Sequence, residues 1–114
     1  MLGKDPSAGD APDFVTVIFL RLAAGRTLTP AIVEAHAAHL AELDRKGSLV
    51  LAGPLLNHFS GLIVLQTASL AEAKAIAEED PMIRGGFQTY ELGTWIMANR
   101  QNNYQPNVQA ASKQ

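Results

Sequence analysis

The stretch GSLVLAGPLLNHFSGLIVLQT, residues 47–67, holds two strands in succession with no helix between them. Residues 48–56 read as the first strand. Asn57-His58-Phe59-Ser60 reads as a connecting turn, and residues 61–67 as the second strand. Gly53-Pro54 interrupts the first run. Proline cannot donate to a sheet ladder, so this point is an edge, a bulge or a strand end. A helical pattern lies on each side of the pair. Upstream, Thr29-Pro30 supplies an N-cap and a first-turn proline, and the helix runs to about Lys46. Gly47 then stands where a C-terminal cap glycine is expected. Downstream, Ser69-Leu70-Ala71-Glu72 has the form of a capping box, and a second helix runs from there to about Glu79.

Two further strands close the pattern. Residues 14–22 are almost continuously apolar and β-branched, and residues 87–97 form the last run. The order is β-α-β-β-α-β, which predicts an α+β, ferredoxin-like fold with an antiparallel sheet. Two helices cover only one face of such a sheet. Yet Phe14-Val15-Thr16-Val17-Ile18-Phe19-Leu20 and Gly61-Leu62-Ile63-Val64-Leu65 are apolar on both faces, where a half-exposed antiparallel strand should alternate. The second face therefore needs a cover. A second copy packed around a two-fold axis gives a homodimer with sheets face to face, a dimeric α+β barrel. The alternative cover is the C-terminal tail.

One domain is expected from 114 residues. Residues 1–13, rich in Gly, Pro, Asp and Ala, read as a flexible arm, residues 14–99 as the folded domain, and residues 100–114 as a polar tail. Tyr104-Gln105-Pro106 is a candidate docking point within that tail. Hydrophobic residues make up 47% and charged residues 18%, so the middle of the chain is globular. The net charge of −2 and the absence of a Lys/Arg cluster argue against nucleic-acid binding. There is no cysteine, which excludes disulfides, thiolate nucleophiles and Cys-based metal sites. No secretory h-region and no apolar run approaching the ~20 residues of a bilayer span are visible. A cytoplasmic protein without membrane association is the expectation.

Chemistry has few places to sit. His36 and His39 are helical neighbours, roughly 5–6 Å apart at Cβ. On the helical wheel His36 falls amid Val33, Leu40 and Leu43, at the centre of the apolar stripe. His39 lies at its edge beside Ile32, where a side chain can reach a cleft and still meet solvent. The wheel therefore favours His39 as acid–base catalyst and His36 as a positioning residue. Asp80 stands before Pro81, a pattern that commonly just ends a helix. Its functional reading needs His39 within hydrogen-bond reach, whose tautomer it would hold and whose basicity it would raise. No metal site and no cofactor are expected. His36-x-x-His39 gives two nitrogens, and no spacing selects Asp80 or His58 as a third ligand. Gly85-Gly86 is too short for a phosphate cradle and suits a turn with positive φ. Ser48, Ser60 and Ser69 lack any nucleophile motif. Phe87, Tyr90, Trp95 and Met97 are expected in the core or at an interface. Some of them would line an apolar pocket, between the first helix and the sheet or at the barrel mouth.

These residues carry a resemblance. His39-Leu40-Ala41-Glu42-Leu43, residues 47–55, Gly61-Leu62-Ile63-Val64, Ser69-Leu70-Ala71-Glu72-Ala73, Asp80-Pro81 and Gly86-Phe87 appear in the order seen in the YciI-like (YCII-related) family, which the chain resembles over roughly residues 14–97. The resemblance implies the same dimeric α+β barrel and a His–Asp active site, with His39 and Asp80 at the matching positions. It places His36, Gly53, Pro54 and Met82 at the substrate. Two departures stand out: His36 replaces an Arg common in the family, and Met82 a common aromatic. His36 can offer a positive charge only when protonated. In part of the family the implied activity is that of a dehydrochlorinase acting on a chlorinated hydroxyquinol. The expected function is thus a cofactor-free lyase or isomerase acting on a small oxygenated aromatic or quinone-like compound. A non-catalytic ligand-binding module of the same dimer is the alternative. A purely structural interaction protein, partnered through its tails, is the third.

Overall fold

In the computed structural model, residues 13–111 are described. The expected N-terminal arm lies outside them except for Asp13. Four strands and two long helices follow the predicted order: β1 (Phe14–Leu22), α1 (Pro30–Arg45), β2 (Leu49–Pro54), β3 (Gly61–Leu65), α2 (Leu70–Glu79) and β4 (Gln88–Ile96). The sheet order is β2-β3-β1-β4, and every neighbouring pair is antiparallel. That is the ferredoxin-like topology, an α+β fold.

Local signals set the element ends. Thr29 caps α1, its hydroxyl accepting from the Ile32 N–H at 3.2 Å, with Pro30 in the first turn. Gly47 takes φ +82°, a left-handed value that a side chain resists, and turns the chain from α1 into β2. Ser69 caps α2 by accepting from the Glu72 N–H at 3.1 Å. β2 is an edge strand that ends on Pro54, as proline requires. The register slip falls earlier, between Leu49 and Leu51.

Two elements exceed the sequence reading. A third helix, α3 (Pro81–Arg84), follows α2 at once. The C-terminal segment also has structure. Asn99 and Asn102 cap a 3-10 turn over Arg100–Asn102 reciprocally, and a last helical turn, α4, spans Val108–Ala111. Tyr104, the candidate docking residue, is exposed and has φ +61°.

The core lies between the sheet and the helices. Ile18, Leu20, Ile63 and Leu65 point from the sheet toward Leu43 of α1 and Ala73 and Ala77 of α2. Each large aliphatic buried this way contributes roughly 1.5–3 kcal/mol. The alanines let α2 approach the sheet closely. A separate cluster of Val15, Val17 and Val64, flanked by Phe19, Leu62 and Met97, occupies the opposite face. Phe59 folds from the β2–β3 connection onto Phe19, with ring centroids 5.0 Å apart. Even so, this face stays open at its rims: Leu51 is 59% and Trp95 57% exposed. Among the described residues no helix is long and apolar enough to cross a membrane.

Candidate active site

Asp80 sits where α2 stops and α3 begins. Pro81 forbids it a helical conformation, and its φ and ψ of −66° and 125° are extended. Its side chain is fully buried. One oxygen, Oδ1, caps α3 by accepting from the Met82 N–H at 2.9 Å. The same carboxylate faces α1, where His36 Nδ1 lies 3.0 Å from Oδ1 and 2.8 Å from Oδ2. A carboxylate buried this completely needs such partners to offset its lost hydration.

The pairing differs from the one expected. The wheel and the family resemblance both directed Asp80 toward His39, yet its partner is His36. His39 does not line the adjoining cavity, and its Nε2 is buried without a hydrogen-bond partner among the described residues. The reason lies opposite the helix. A wheel gives the direction of a side chain, not the depth of what it meets. Beneath the centre of the α1 stripe the sheet presents Gly53, Pro54 and Gly61, which leave a hollow in place of a packed core. A Cβ on Gly61 would come within 3.2 Å of the Gly53 carbonyl oxygen, so this edge of the sheet is built for low relief. The centre of the stripe therefore points into a cavity.

That cavity has a volume of about 290 Å³ and includes His36, Gly53, Pro54 and Met82 in its wall. All four residues expected at a substrate thus share one hollow between α1 and the sheet. Leu20, Leu28, Val33, Leu40 and Leu62 supply the apolar remainder. The His36 side chain is 15% exposed, and its Nε2 has no hydrogen-bond partner among the described residues. With the Asp80 carboxylate accepting, Nδ1 is the donor, and in that tautomer the lone pair of the ring lies on Nε2. An imidazole held this way can accept a proton at Nε2.

Two polar residues in the cavity escaped the sequence reading. Gln88, 4% exposed, opens β4 on the face that carries Tyr90 and Leu92. Ser60 precedes β3 and donates to Gln88 Oε1 at 2.6 Å. A glutamine in phase with inward-facing residues was a visible signal for the first. Nothing in the sequence marked Ser60, because only sheet pairing brings it to Gln88. Among the described residues no group of three or more His, Cys, Asp or Glu side chains gathers as a metal site would require.

The YCII-related domain family matches residues 16–96. The chain belongs to that family. Among solved structures, it is similar to the 5-chloro-2-hydroxyhydroquinone dehydrochlorinase of Burkholderia phenoliruptrix AC1100, determined in complex with 2,5-dihydroxybenzoquinone. The two share 20% identity at a TM-score of 0.56, over 77% of this chain and 98% of the other. At that identity the likeness establishes the fold. No curated protein matches the chain.

Proposed function

We propose that this chain is a small acid–base enzyme in which His36 moves the proton and Asp80 orients it. The observation that carries the reading is the buried Asp80 carboxylate against His36 Nδ1, with Nε2 left free beside an apolar cavity. Such a pair removes a proton from an activated carbon or hydroxyl without a cofactor, an effect on the order of 10²–10⁴-fold. The substrate class is a small quinone-like or hydroxylated ring, in keeping with the dehydrochlorinase that shares the fold. For a chlorinated hydroxyhydroquinone one hydroxyl proton moves to the C–Cl carbon as the ring takes a keto form. A second hydroxyl proton then passes to Nε2, its electron pair shifts through the ring, and chloride departs from the now tetrahedral carbon, leaving a hydroxyquinone with a net loss of HCl. Gly53, Pro54 and Met82 form the walls against which the ring lies. His39 has no direct part in proton transfer in this reading.

The working unit is proposed to be a homodimer formed through the far face of the sheet, where Trp95 and Leu51 stand open. Chloride release from a chlorinated hydroxyhydroquinone, measured for the native chain and for His36→Ala, tests the catalytic reading. The expected result is a fall in kcat on the order of 10²–10⁴-fold with the fold intact. Full activity in His36→Ala, or loss only in His39→Ala, refutes it. A native chain that binds such rings but never turns them over favours a binding module instead.

A further inference from the structure

The cavity has a second polar end. Ser60 is fixed by its backbone, which donates to the Leu20 carbonyl at 2.7 Å and accepts from the Leu55 N–H at 3.1 Å. Its hydroxyl is spent on Gln88 Oε1, which leaves Ser60 Oγ lone pairs available. The bond also fixes the Gln88 amide. With Oε1 on the hydroxyl, Nε2 points to the Met82 sulfur at 3.8 Å. The reverse orientation would set an amide oxygen against a thioether, two acceptors face to face. Sulfur is a weak acceptor, so a buried amide with two N–H donors has no good oxygen partner. Ser60, Gln88 and Met82 all line the cavity that holds His36. Among the described residues no Lys or Arg does so.

We infer that Gln88, held by Ser60, is the specificity-determining anchor for a second oxygen of the ligand. The ligand class is a small ring with two separate oxygen functions, hydroxyl or carbonyl, and without a carboxylate or phosphate. One oxygen or its neighbouring carbon addresses His36 Nε2, and the other accepts from Gln88 Nε2. The inference rests on the proposed reading of the His36 cavity and adds to it the pattern of substituents the cavity selects. An anionic group would meet no Lys or Arg among the described lining residues, whereas a neutral oxygen gives the Gln88 amide a better acceptor than the Met82 sulfur.

Binding of phenol, hydroquinone and benzoate, measured anaerobically by calorimetry and by side-chain ¹⁵N shifts, tests it. Hydroquinone should bind roughly 3–10-fold tighter than phenol after its two-fold symmetry is counted, with benzoate weakest. Hydroquinone should also shift the Gln88 amide resonances. Gln88→Met should erase the preference for the second oxygen while keeping phenol affinity, and Ser60→Ala, the milder change, should reduce it. Equal affinity for phenol and hydroquinone with His36 signals still moving overturns the anchor and leaves the His36 reading standing. Tightest binding by benzoate overturns the ligand class. If none of the three compounds moves the His36 signals, both readings fall.

Discussion

Replacing Asp80 by Asn should reverse the tautomer of His36. Asp80 offers two oxygens, and they have different duties. Oδ1 accepts the Met82 N–H at 2.9 Å and also lies 3.0 Å from His36 Nδ1, while Oδ2 makes the His36 contact alone and at the shorter distance, 2.8 Å. Asparagine has one oxygen. Turned toward His36, it would set its NH₂ against the Met82 N–H, a buried donor facing a donor. The oxygen therefore stays on Met82, α3 keeps its cap, and the NH₂ takes the place of Oδ2. It then donates to Nδ1, which must become the acceptor. The ring proton moves to Nε2, and the cavity loses its base. Replacing one charge-assisted bond by a neutral one should cost about 1 kcal/mol, within the 1.5–3 kcal/mol that a hydrogen bond to a charged group contributes. The cap term, worth ~0.5–2 kcal/mol, is retained. The assay needs no substrate. Nitrogen-15 shifts of His36 at a pH where the ring is neutral report the tautomer directly. The native chain should show a protonated Nδ1 and a bare Nε2, and Asp80→Asn the reverse. Turnover, once found, should fall by about 10²–10⁴-fold. A native ring with its proton on Nε2, or a variant ring that keeps it on Nδ1, refutes the reasoning.

Two further outcomes follow from the same structure. Trp95→Glu places a charge on the open far face of the sheet, and sedimentation should show a dimer for the native chain and a monomer for the variant. A native chain that is monomeric throughout would remove the proposed interface. Burial, and then a hydrogen bond donated to Glu78 Oε2 at 2.8 Å, raise the Tyr90 phenol above its usual 10.0. Because the folded value is the higher one, this contribution to stability is full below pH 10 and is lost as pH rises through the folded value. In a Tyr104→Phe background, where Tyr90 is the remaining tyrosine, phenolate absorbance should appear above pH 10 and return toward it on Glu78→Gln. An unchanged midpoint refutes the role of Glu78.

Part of the candidate site was legible and part was not, for identifiable reasons. Asp80-Pro81 repeats the Thr29-Pro30 pattern of cap and first-turn proline. The short helix α3 was therefore as readable as the start of α1, but for the backbone Asp-Pro was read as a helix end and not as a helix start. Periodicity placed both histidines on the inner side of α1. It could not say which of them would find a hollow, since the hollow is made by Gly53, Pro54 and Gly61 from β2 and β3. Ser60 and Gln88 lie 28 positions apart and meet through sheet pairing.

The sequence by itself determined the element order, the caps and the two-faced sheet. Those depend on neighbours within a turn or a pleat: a Thr hydroxyl three residues from the N–H it satisfies, a left-handed glycine after a helix, a proline at a strand end. Tertiary structure alone decided that His36, and not His39, meets Asp80 across 44 positions of chain. That choice depends on the depth of the sheet beneath α1 and on the angle at which α3 presents a carboxylate, and both are set only once the strands have paired.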